Sequence, residues 1–115
     1  MIKRANELKT DTVERLMEGE GVVNRVHLLD AEDFNGKGRV YAKNILKPGH
    51  SIGFHVHEGE QETYYFLKGE GLYSDNGEEV IVKEGDFTLC KSGEGHSLEN
   101  NGAEDLEFIA LIMNV

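Results

Sequence analysis

The sequence predicts an all-β domain, either a sandwich or a barrel, and three observations support this fold class. Fourteen glycines and one proline divide the 115 residues into short apolar runs. Those runs have the length of strands, and turn residues separate them at close intervals. Only one short segment near the start has the periodicity of a helix. A chain of this length is typical of a single domain.

The first element is an arm that precedes the strands. Residues 1–20 are predicted to form this arm, and residues 21–115 a single barrel. Within the arm, Asp11 could cap a helix on which Val13 and Leu16 share a face. A helix of about two turns is marginal in isolation. The arm is therefore expected to be either helical, if it packs on the barrel, or extended.

Nine apolar runs after the arm are predicted strands. In chain order they are VVNRVHLL (22–29), GRVYAKNIL (38–46), SIGFHVH (51–57), ETYYFL (62–67), GLYSD (71–75), EVIV (79–82), FTLC (87–90), HSLEN (96–100) and LEFIALIMNV (106–115). The clearest hairpin joins GLYSD to EVIV, because Asn76-Gly77 between them suits a two-residue type I′ turn.

Two of these runs carry apolar side chains on both faces. In ETYYFL, Tyr64 and Phe66 point one way whereas Tyr65 and Leu67 point the other, and LEFIALIMNV repeats the pattern. A barrel wall normally alternates apolar residues inside with polar residues outside. Strands that are apolar on both faces need a second covering layer, which a short chain obtains from its own arm or from another copy of itself. The pattern predicts a homodimer.

The charge of the chain argues against two classes of partner. The net charge is −10 at pH 7, whereas nucleic-acid binding depends on Lys and Arg that neutralise phosphates. The same negative charge opposes docking on an anionic membrane. No apolar stretch approaches the ~20 residues that span a bilayer. We therefore expect neither a nucleic acid nor a membrane as partner.

The single cysteine predicts the cellular compartment. Cys90 has no second cysteine with which to form an internal disulfide, and no targeting segment is visible. A reducing, cytoplasmic location follows as the expectation. Because Cys90 ends the run FTLC, we interpret it as a small buried apolar residue rather than a reactive thiol.

Three histidines and one glutamate have the spacing of a metal site. His55 and His57 are separated by one residue, so both side chains of a strand there point to the same face. Glu62 opens the next run and could face the same interior, and His96 is the only later histidine. Three imidazoles and one carboxylate suit one divalent transition metal ion, Mn, Fe, Ni, Zn or Cu. Such a set leaves coordination positions open for water or a substrate.

The segments around these residues resemble the two motifs of the cupin family. Residues 49–69, GHSIGFHVHEGEQETYYFLKG, fill every fixed position of the first motif. Residues 85–100, GDFTLCKSGEGHSLEN, match the second, except that Lys91 stands where the family usually has proline. The resemblance implies a small single-domain cupin, whose fold is a double-stranded β-helix, or jelly-roll barrel. The metal ligands that it implies are His55, His57, Glu62 and His96.

The resemblance also implies roles for residues that do not bind the metal. Gly49, Gly69 and Gly85 would permit the turn conformations between strands. Asn100 would brace a loop by hydrogen bonding. These expectations concern the scaffold of the site rather than its chemistry.

Three residues are weak candidates for contact with a substrate. Tyr41 and Lys43 share a face just before the first motif and could reach a substrate, although a polar outer face explains them equally well. Tyr64 has the parity of Glu62 and could line the cavity, with core packing as the alternative. No general acid or base is evident.

The remaining polar residues near the motifs are interpreted as structural or solvated. Glu58 and Glu60 fall in the turn after His57 and are expected in a solvated loop. His27 lies in an apolar run and is expected to be packed or at the surface. His50, beside the Pro48-Gly49 turn, is expected to be exposed.

Two functions remain open from the sequence. A divalent ion held by neutral imidazoles and one carboxylate keeps a single net positive charge, which favours a small oxygen-rich ligand that is anionic or chelating. The resemblance implies a metal-dependent dioxygenase, decarboxylase, isomerase or lyase and does not choose among them. The alternative is a non-catalytic cupin that binds or senses a sugar or an organic acid. A purely structural metal is a third hypothesis, but structural sites are usually closed and often rich in thiolates.

Overall fold

The fold consists almost entirely of strands. A computed structural model describes all 115 residues of the chain. It contains ten strands, β1 Thr10–Glu14, β2 Val22–His27, β3 Gly38–Leu46, β4 Ser51–Val56, β5 Glu60–Lys68, β6 Glu70–Asp75, β7 Glu78–Lys83, β8 Phe87–Cys90, β9 Gly95–Glu99 and β10 Leu106–Asn114. Three short 3-10 segments accompany them, at Ala5–Glu7, Leu16–Glu18 and Ala31–Phe34. The all-β prediction is confirmed, and each of the nine predicted runs overlaps one strand.

The strands form two antiparallel sheets. The larger sheet has the order β1-β2-β3-β10-β5-β8 and the smaller has the order β4-β9-β6-β7. Strands that are distant in the chain lie side by side, such as β3 beside β10, as expected for a jelly-roll barrel. The interior between the sheets is filled by fourteen buried apolar residues. Burying a side chain of this kind stabilises the fold by about 1.5–3 kcal/mol.

Aromatic rings occupy the centre of this core. The ring centroids of Tyr64 and Phe108 are 4.7 Å apart, and those of Phe66 and Phe108 are 5.5 Å apart. Cys90 is also buried, and burial raises the pKa of its thiol to about 11. The interpretation of Cys90 as a packed apolar residue is therefore confirmed.

The arm takes the extended alternative, and the helix that Asp11 could have capped does not form. Residues of β1 pair with β2 along its whole length, from Thr10 opposite Val26 to Glu14 opposite Val22. The backbone then turns through residues 15–18, three of which have positive φ values that no α-helix accommodates. A segment of about two turns gains too little to fold as an isolated helix, whereas strand pairing satisfies its backbone groups. None of the helical segments could cross a bilayer.

The turns follow the glycine and asparagine signals of the sequence. Asn76 and Gly77 both have positive φ, 53° and 97°, and connect β6 to β7 as the type I′ prediction requires. Gly49, Gly69 and Gly85 also have positive φ, so their predicted turn roles are confirmed. Asn100 braces its loop, since its Nδ2 donates to the carbonyl oxygens of Leu46 and Glu104.

A bulge in β4 sets which of its side chains face the barrel interior. In the pairing of β4 with β9, Ile52 lies opposite Leu98 and His55 opposite His96, with a register shift between them. Strict alternation would place residues three positions apart on opposite faces. The extra residue brings Ile52 and His55 to the same side. The bulge therefore turns His55 toward the interior without exposing the apolar residue that precedes it.

Candidate metal centre

Four side chains converge between the two sheets. His55 lies on β4, His57 directly follows that strand, Glu62 lies on β5 and His96 on β9. The imidazoles come from the smaller sheet and its edge, and the carboxylate comes from the larger sheet. Their potential ligand atoms all lie within 4.8 Å of one another. We call these four residues the histidine–glutamate cluster.

The distances within the cluster suit donors around one ion. The Glu62 Oε1 atom is 2.9 Å from His96 Nε2 and 3.0 Å from His57 Nε2, and 3.6 Å from His55 Nε2. The Nε2 atoms of His55 and His96 are 3.0 Å apart. Bonds of about 2.0–2.2 Å at right angles would separate neighbouring donors by about 3 Å. The donor set and its spacing therefore fit a divalent transition metal.

Each imidazole is oriented by a hydrogen bond at its other nitrogen. His55 Nδ1 lies 2.7 Å from the carbonyl oxygen of Gly53, and His57 Nδ1 lies 3.3 Å from a carboxylate oxygen of Glu60. Both partners can only accept, so Nδ1 donates and a neutral ring keeps its lone pair on Nε2. The Nε2 atoms of His55 and His57 and the Glu62 oxygen thus meet as electron-rich atoms that only a cation or a proton can satisfy.

The third imidazole has a different partner. His96 Nδ1 lies 2.8 Å from the hydroxyl oxygen of Tyr73, in the barrel interior. The ring of His96 also stacks on that of Tyr64, with centroids 5.0 Å apart and planes 19° apart. Outer partners of this kind fix the tautomer and the ring plane of a metal-binding histidine. All three rings therefore have a partner at Nδ1 and present Nε2 to the centre.

Ionisation in the cluster is governed by the same contacts. Burial raises the pKa of Glu62, but hydrogen bonds from the three imidazoles outweigh burial and hold that pKa well below its usual range. The hydrogen bond to Glu62 raises the pKa of His57, whereas burial lowers the pKa of His96. The Glu62 side chain is therefore a carboxylate at neutral pH, which is the form that binds a metal.

A small cavity adjoins the cluster. It has a volume of about 60 Å³, and three of the cluster residues, His55, His57 and Glu62, line it. The remaining lining residues are Leu16, Met17, Arg25, Arg39, Val40, Asn44, Ile52, Tyr64 and Ile112. A water needs about 10–15 Å³ of such volume, so the cavity admits a ligand of only a few non-hydrogen atoms. A wider groove of about 340 Å³, between β7 and β8, contains none of the cluster residues.

The three weak substrate-contact candidates lie in different places. Tyr64 lines the cavity and is buried, and burial raises the pKa of its hydroxyl well above the usual value. Tyr41 and Lys43 have outward parity on β3, because Ala42 and Asn44 take the inward positions. Lys43 lies 3.8 Å from Glu107 on the neighbouring strand β10. The structure therefore places Tyr41 and Lys43 on the outer face, away from the cavity.

Two expectations for the flanking polar residues are wrong. Glu60 is not a solvated loop residue, because it is held by Arg39 through contacts of 2.9 and 2.7 Å and faces His57. His50 is not exposed, since its Nδ1 accepts a hydrogen bond from the Val22 backbone. His27 is partly buried, outside the cluster, and lies 3.1 Å from Asp11.

Several cavity residues escaped the sequence interpretation although a signal for them existed. Arg25 has the inward parity of Val23 on β2, and Asn44 has that of Ala42 on β3. A polar residue among the inward-facing apolar residues of a strand indicates that this part of the strand lines a functional site. No such indication existed in the sequence for Arg39 and Glu60. They lie near the ends of two strands that are distant in the chain, and only the fold brings them into contact.

Comparison with known proteins agrees with the geometry. A model of the family described as "Cupin domain" matches residues 44–112. The chain is 45% identical over 113 residues to an oxalate-binding protein of Thermotoga maritima, covering 98% of this chain and 93% of that protein. A Thermotoga maritima crystal structure described as a predicted oxalate decarboxylase superposes with a TM-score of 0.93 at 44% identity, covering all of both chains. A cupin domain from Schizosaccharomyces pombe has a TM-score of 0.72 at 11% identity, covering 91% of this chain and 69% of that one, which shows the fold alone.

Proposed function

Because the chain belongs to the cupin family, we propose that it binds one divalent transition metal ion at the histidine–glutamate cluster and holds a small chelating carboxylate there. The observation that carries this proposal is the convergence of three imidazole Nε2 atoms and one carboxylate between the two sheets. Electron-rich atoms at such short range repel one another unless a cation or shared protons lie between them, and a divalent ion serves all four at once. The ion is Mn, Fe, Ni, Zn or Cu, all of which accept this ligand set.

The size of the cavity supports a small ligand. A volume of about 60 Å³ excludes a sugar ring or a flavonol but accepts a two-carbon dicarboxylate, given about 10–15 Å³ for each water-sized group. The name of the Thermotoga maritima relative points to the same class, since that protein is an oxalate-binding protein. Oxalate is thus the ligand that we propose for this chain.

An ion held by His55, His57, Glu62 and His96 would supply a positive charge and open coordination positions for carboxylate oxygens. The residues of the chain do the rest. Glu60, Tyr73 and the carbonyl of Gly53 hold the imidazole rings in place. Val40, Ile52 and Ile112 form an apolar wall that excludes bulk water and limits the length of the ligand.

Turnover of the bound dicarboxylate is the second candidate. It is supported by the Thermotoga maritima structure that is described as a predicted oxalate decarboxylase. The cavity offers little acid–base chemistry, because Tyr64 has a strongly raised pKa and Glu60 is engaged by Arg39. Binding without turnover is therefore the function that the geometry supports best. Dioxygenase, isomerase and lyase reactions have no specific support among the cavity residues.

Elemental analysis followed by calorimetry tests the proposal. Protein purified without added metal is expected to retain about one divalent transition metal per chain and to bind oxalate saturably. His55→Ala and His96→Ala should each lose the metal and oxalate binding while remaining folded by circular dichroism. Full metal content in both variants would overturn the site, and unfolding of both would favour a structural metal. Release of formate and carbon dioxide from oxalate, with uptake of one proton, would establish the second candidate.

The chain is also proposed to form a homodimer through the outer face of the larger sheet. Side chains from β5, β8 and β10 meet there in register, with Tyr65 opposite both Phe87 and Ile109. We call this surface the outer apolar patch; its members are Tyr65, Phe87, Leu89, Ile109 and Leu111. None of them is charged, so a second copy of this acidic chain can approach without local repulsion. Tyr65 and Phe87 are 47% and 61% exposed, which is unusual for side chains of this size.

The cytoplasmic location likewise stands as a proposal. It is supported by the unpaired Cys90, which lies buried in the core where no second cysteine could reach it. A fusion to a fluorescent reporter, followed by cell fractionation, would test it.

A further inference from the structure

Asn76, in the turn between β6 and β7, also contacts the start of β9. Its Oδ1 atom accepts a hydrogen bond from the Gly95 amide at 2.9 Å, and its Nδ2 atom donates to Glu94 Oε2 at 3.2 Å. The Asn76 backbone amide donates to the Gly95 carbonyl oxygen at 2.9 Å. Asn76 therefore holds the start of β9 through both its backbone and its side chain.

These contacts continue the pairing of β6 with β9 beyond its last regular pair. That pair is Asp75 opposite His96, and the side chain of Asn76 binds Gly95, the next residue of β9. A type I′ turn needs positive φ values at its two central positions, which glycine supplies as well as asparagine. The turn therefore does not require the side-chain amide of Asn76, whereas the contact with β9 does.

The segment that Asn76 holds is linked to two of the histidines in the cluster. We call residues 93–95 the linking segment. The Gly93 amide donates to the carbonyl oxygen of His57 at 2.6 Å, and the His57 amide donates to the carbonyl oxygen of Glu94 at 3.1 Å. His96 follows the segment directly. A displacement of the linking segment would therefore move the backbones of both His57 and His96.

The amide nitrogen of Asn76 lies between two carboxylates. Its Nδ2 atom is 3.2 Å from Asp75 Oδ1 and 3.2 Å from Glu94 Oε2. Both carboxylates accept hydrogen bonds from this one group. A negatively charged oxygen in place of the nitrogen would repel both of them and remove the two hydrogen bonds.

We propose that Asn76 is a positioning residue for the metal centre, and that its side-chain amide is a site at which deamidation would weaken metal binding. This inference rests on the proposed function, since it requires an ion at the histidine–glutamate cluster. The amide orients His57 and His96 through the linking segment. Deamidation would convert that amide into a third carboxylate beside Asp75 and Glu94.

The residue after Asn76 favours this reaction. It is Gly77, which has no side chain to hinder the approach of its backbone nitrogen. That nitrogen bonds to the side-chain carbonyl carbon of Asn76, the bond from this carbon to the amide nitrogen breaks, and ammonia leaves with the proton of the glycine nitrogen. Water then opens the cyclic imide and leaves a carboxylate. In the folded turn the Gly77 nitrogen donates to Ser74 Oγ at 3.0 Å, so the reaction requires the turn to open.

Two substitutions test the inference. Asn76→Gly retains a residue suited to the turn and removes the side-chain contacts, whereas Asn76→Asp supplies the deamidated side chain. We expect each to lower the affinity for Zn²⁺ about tenfold, at the lower end of the range for groups that support metal ligands. Competition with a chromophoric chelator measures it. Exchange of the Gly95 amide hydrogen should be about tenfold faster in Asn76→Gly, because its side-chain acceptor is lost.

Asn35 provides a matched control. It also precedes a glycine, and its φ value of 53° equals that of Asn76. Its amide has only a 3.5 Å contact with the carbonyl oxygen of Asp33. Asn35→Gly and Asn35→Asp should leave Zn²⁺ affinity unchanged. Urea denaturation of the metal-free variants should show similar stability at the two positions, so that a difference in affinity reports on the centre rather than on the fold.

Ageing of the wild-type protein tests the modification itself. After incubation in mildly alkaline buffer, deamidated forms are separated by charge, and peptide mass spectrometry assigns the modified residue. Forms deamidated at Asn76 should bind Zn²⁺ about tenfold more weakly than forms deamidated at Asn35.

The outcomes are distinct. Wild-type Zn²⁺ affinity in both Asn76 variants overturns the inference and leaves the proposed function standing. Equal losses of affinity at Asn35 and Asn76 also overturn it, because they would reflect general instability. A loss in Asn76→Gly without one in Asn76→Asp supports the positioning role and overturns the effect of deamidation. If the wild-type protein binds no metal, the proposed function fails and this inference fails with it.

Discussion

At the scale of single residues, the contacts behind the ligand atoms decide how the centre works. Glu60 accepts from His57 at its ring nitrogen and from Arg39 at both carboxylate oxygens. A carboxylate in this position makes the imidazole a better ligand and fixes its plane. Glu62 belongs to the same hydrogen-bond network, because its carboxylate contacts the other ring nitrogen of His57. A substitution at Glu60 should therefore weaken metal binding although it leaves all four cluster residues unchanged.

Glu60→Gln tests that role. The amide is a poorer acceptor for the imidazole N–H, so we expect metal affinity to fall about 10- to 100-fold. Competition with a chromophoric chelator gives the constant. Glu58→Gln is a matched control, because Glu58 lies in the turn just before Glu60, is exposed and forms no side-chain hydrogen bond. Equal affinities for the two variants would show that Glu60 serves only the ion pair with Arg39.

Asp11 offers a prediction about pH at the same scale. The hydrogen bond from Arg25 lowers the pKa of Asp11 from 3.8 to about 2. A carboxylate with a depressed folded-state pKa stabilises the fold above the unfolded-state pKa, and that stability is lost as pH falls through the folded-state value. Because the side chain is 43% exposed, solvent limits the contribution to about 1 kcal/mol or less.

Asp11→Asn should therefore be slightly less stable than the wild type at about pH 6, where the carboxylate is ionised in both states. The difference should shrink as pH falls from about 4 to about 2, the window between the unfolded and folded pKa values. Urea denaturation of the metal-free proteins measures it without interference from metal loss. A difference that stays constant across this range would mean that charge is not its cause.

Residue spacing predicted the histidine–glutamate cluster but not the contacts that orient its imidazole rings. The His-x-His pair, the glutamate and the distant histidine were visible because ligands on strands obey alternation. The support came from a backbone carbonyl at Gly53, a tyrosine on β6 and a glutamate at the start of β5. Such contacts depend on how the two sheets close over each other, which one sequence does not specify.

At the scale of elements, the arm and β4 form one unit. Gly53 lies in the β4 bulge, and a Cβ atom added there would collide with the backbone carbonyl of Met17 in the arm. Gly19 has the same relation to the carbonyl of Ser51. The arm therefore crosses β4 at backbone contact, next to the carbonyl that orients His55. Packing of the arm and geometry of the centre are coupled through a glycine.

Gly53→Ala should disturb both. Backbone atoms cannot move aside as a side-chain tip can, so we expect a loss of about 2 kcal/mol or more in stability, as for other overpacked sites, together with weaker metal binding. Gly102→Ala is the control, because a Cβ there meets only ordinary contacts at 3.5 Å and beyond. Thermal denaturation and metal content are measured for both variants. Equal stability and equal metal content in Gly53→Ala and Gly102→Ala would contradict this account.

Strand positions were predictable because turn signals and apolar runs coincide along most of the chain. The structure of the arm was ambiguous because its apolar residues fit either a short helix or a strand. It forms a strand because β2 is available to pair with it. The bulge in β4 was invisible for a related reason. An inserted residue changes which side chains face inward without changing the composition of the strand.

At the scale of the whole molecule, charge and shape would act together on the proposed ligand. The chain carries a net charge of −10, which repels an anion at long range. Arg25 and Arg39 line the cavity and would provide a local positive field for the proposed anion. Each is paired with a carboxylate, so the cavity attracts an anion by directed N–H groups more than by net charge.

The proposed homodimer is also a property of the whole molecule. Phe87→Glu places a charge in the outer apolar patch and should convert the dimer to a monomer, because an isologous contact brings two such charges together. Light scattering coupled to size exclusion would detect the halved mass. Ile2→Glu, at an exposed apolar residue of the arm, should leave the mass unchanged. A wild-type protein that is monomeric at all concentrations would refute the proposal.

The cavity beside the histidine–glutamate cluster has walls of two origins. Most of its lining comes from the sheets, but Leu16 and Met17 belong to the arm. Substitutions at those two positions would enlarge or shrink the cavity while every strand pairing in both sheets stayed as it is. Substitutions in this one short turn could thus change which carboxylic acid fits the cavity. Related proteins would then differ in ligand specificity while they keep the same four metal ligands.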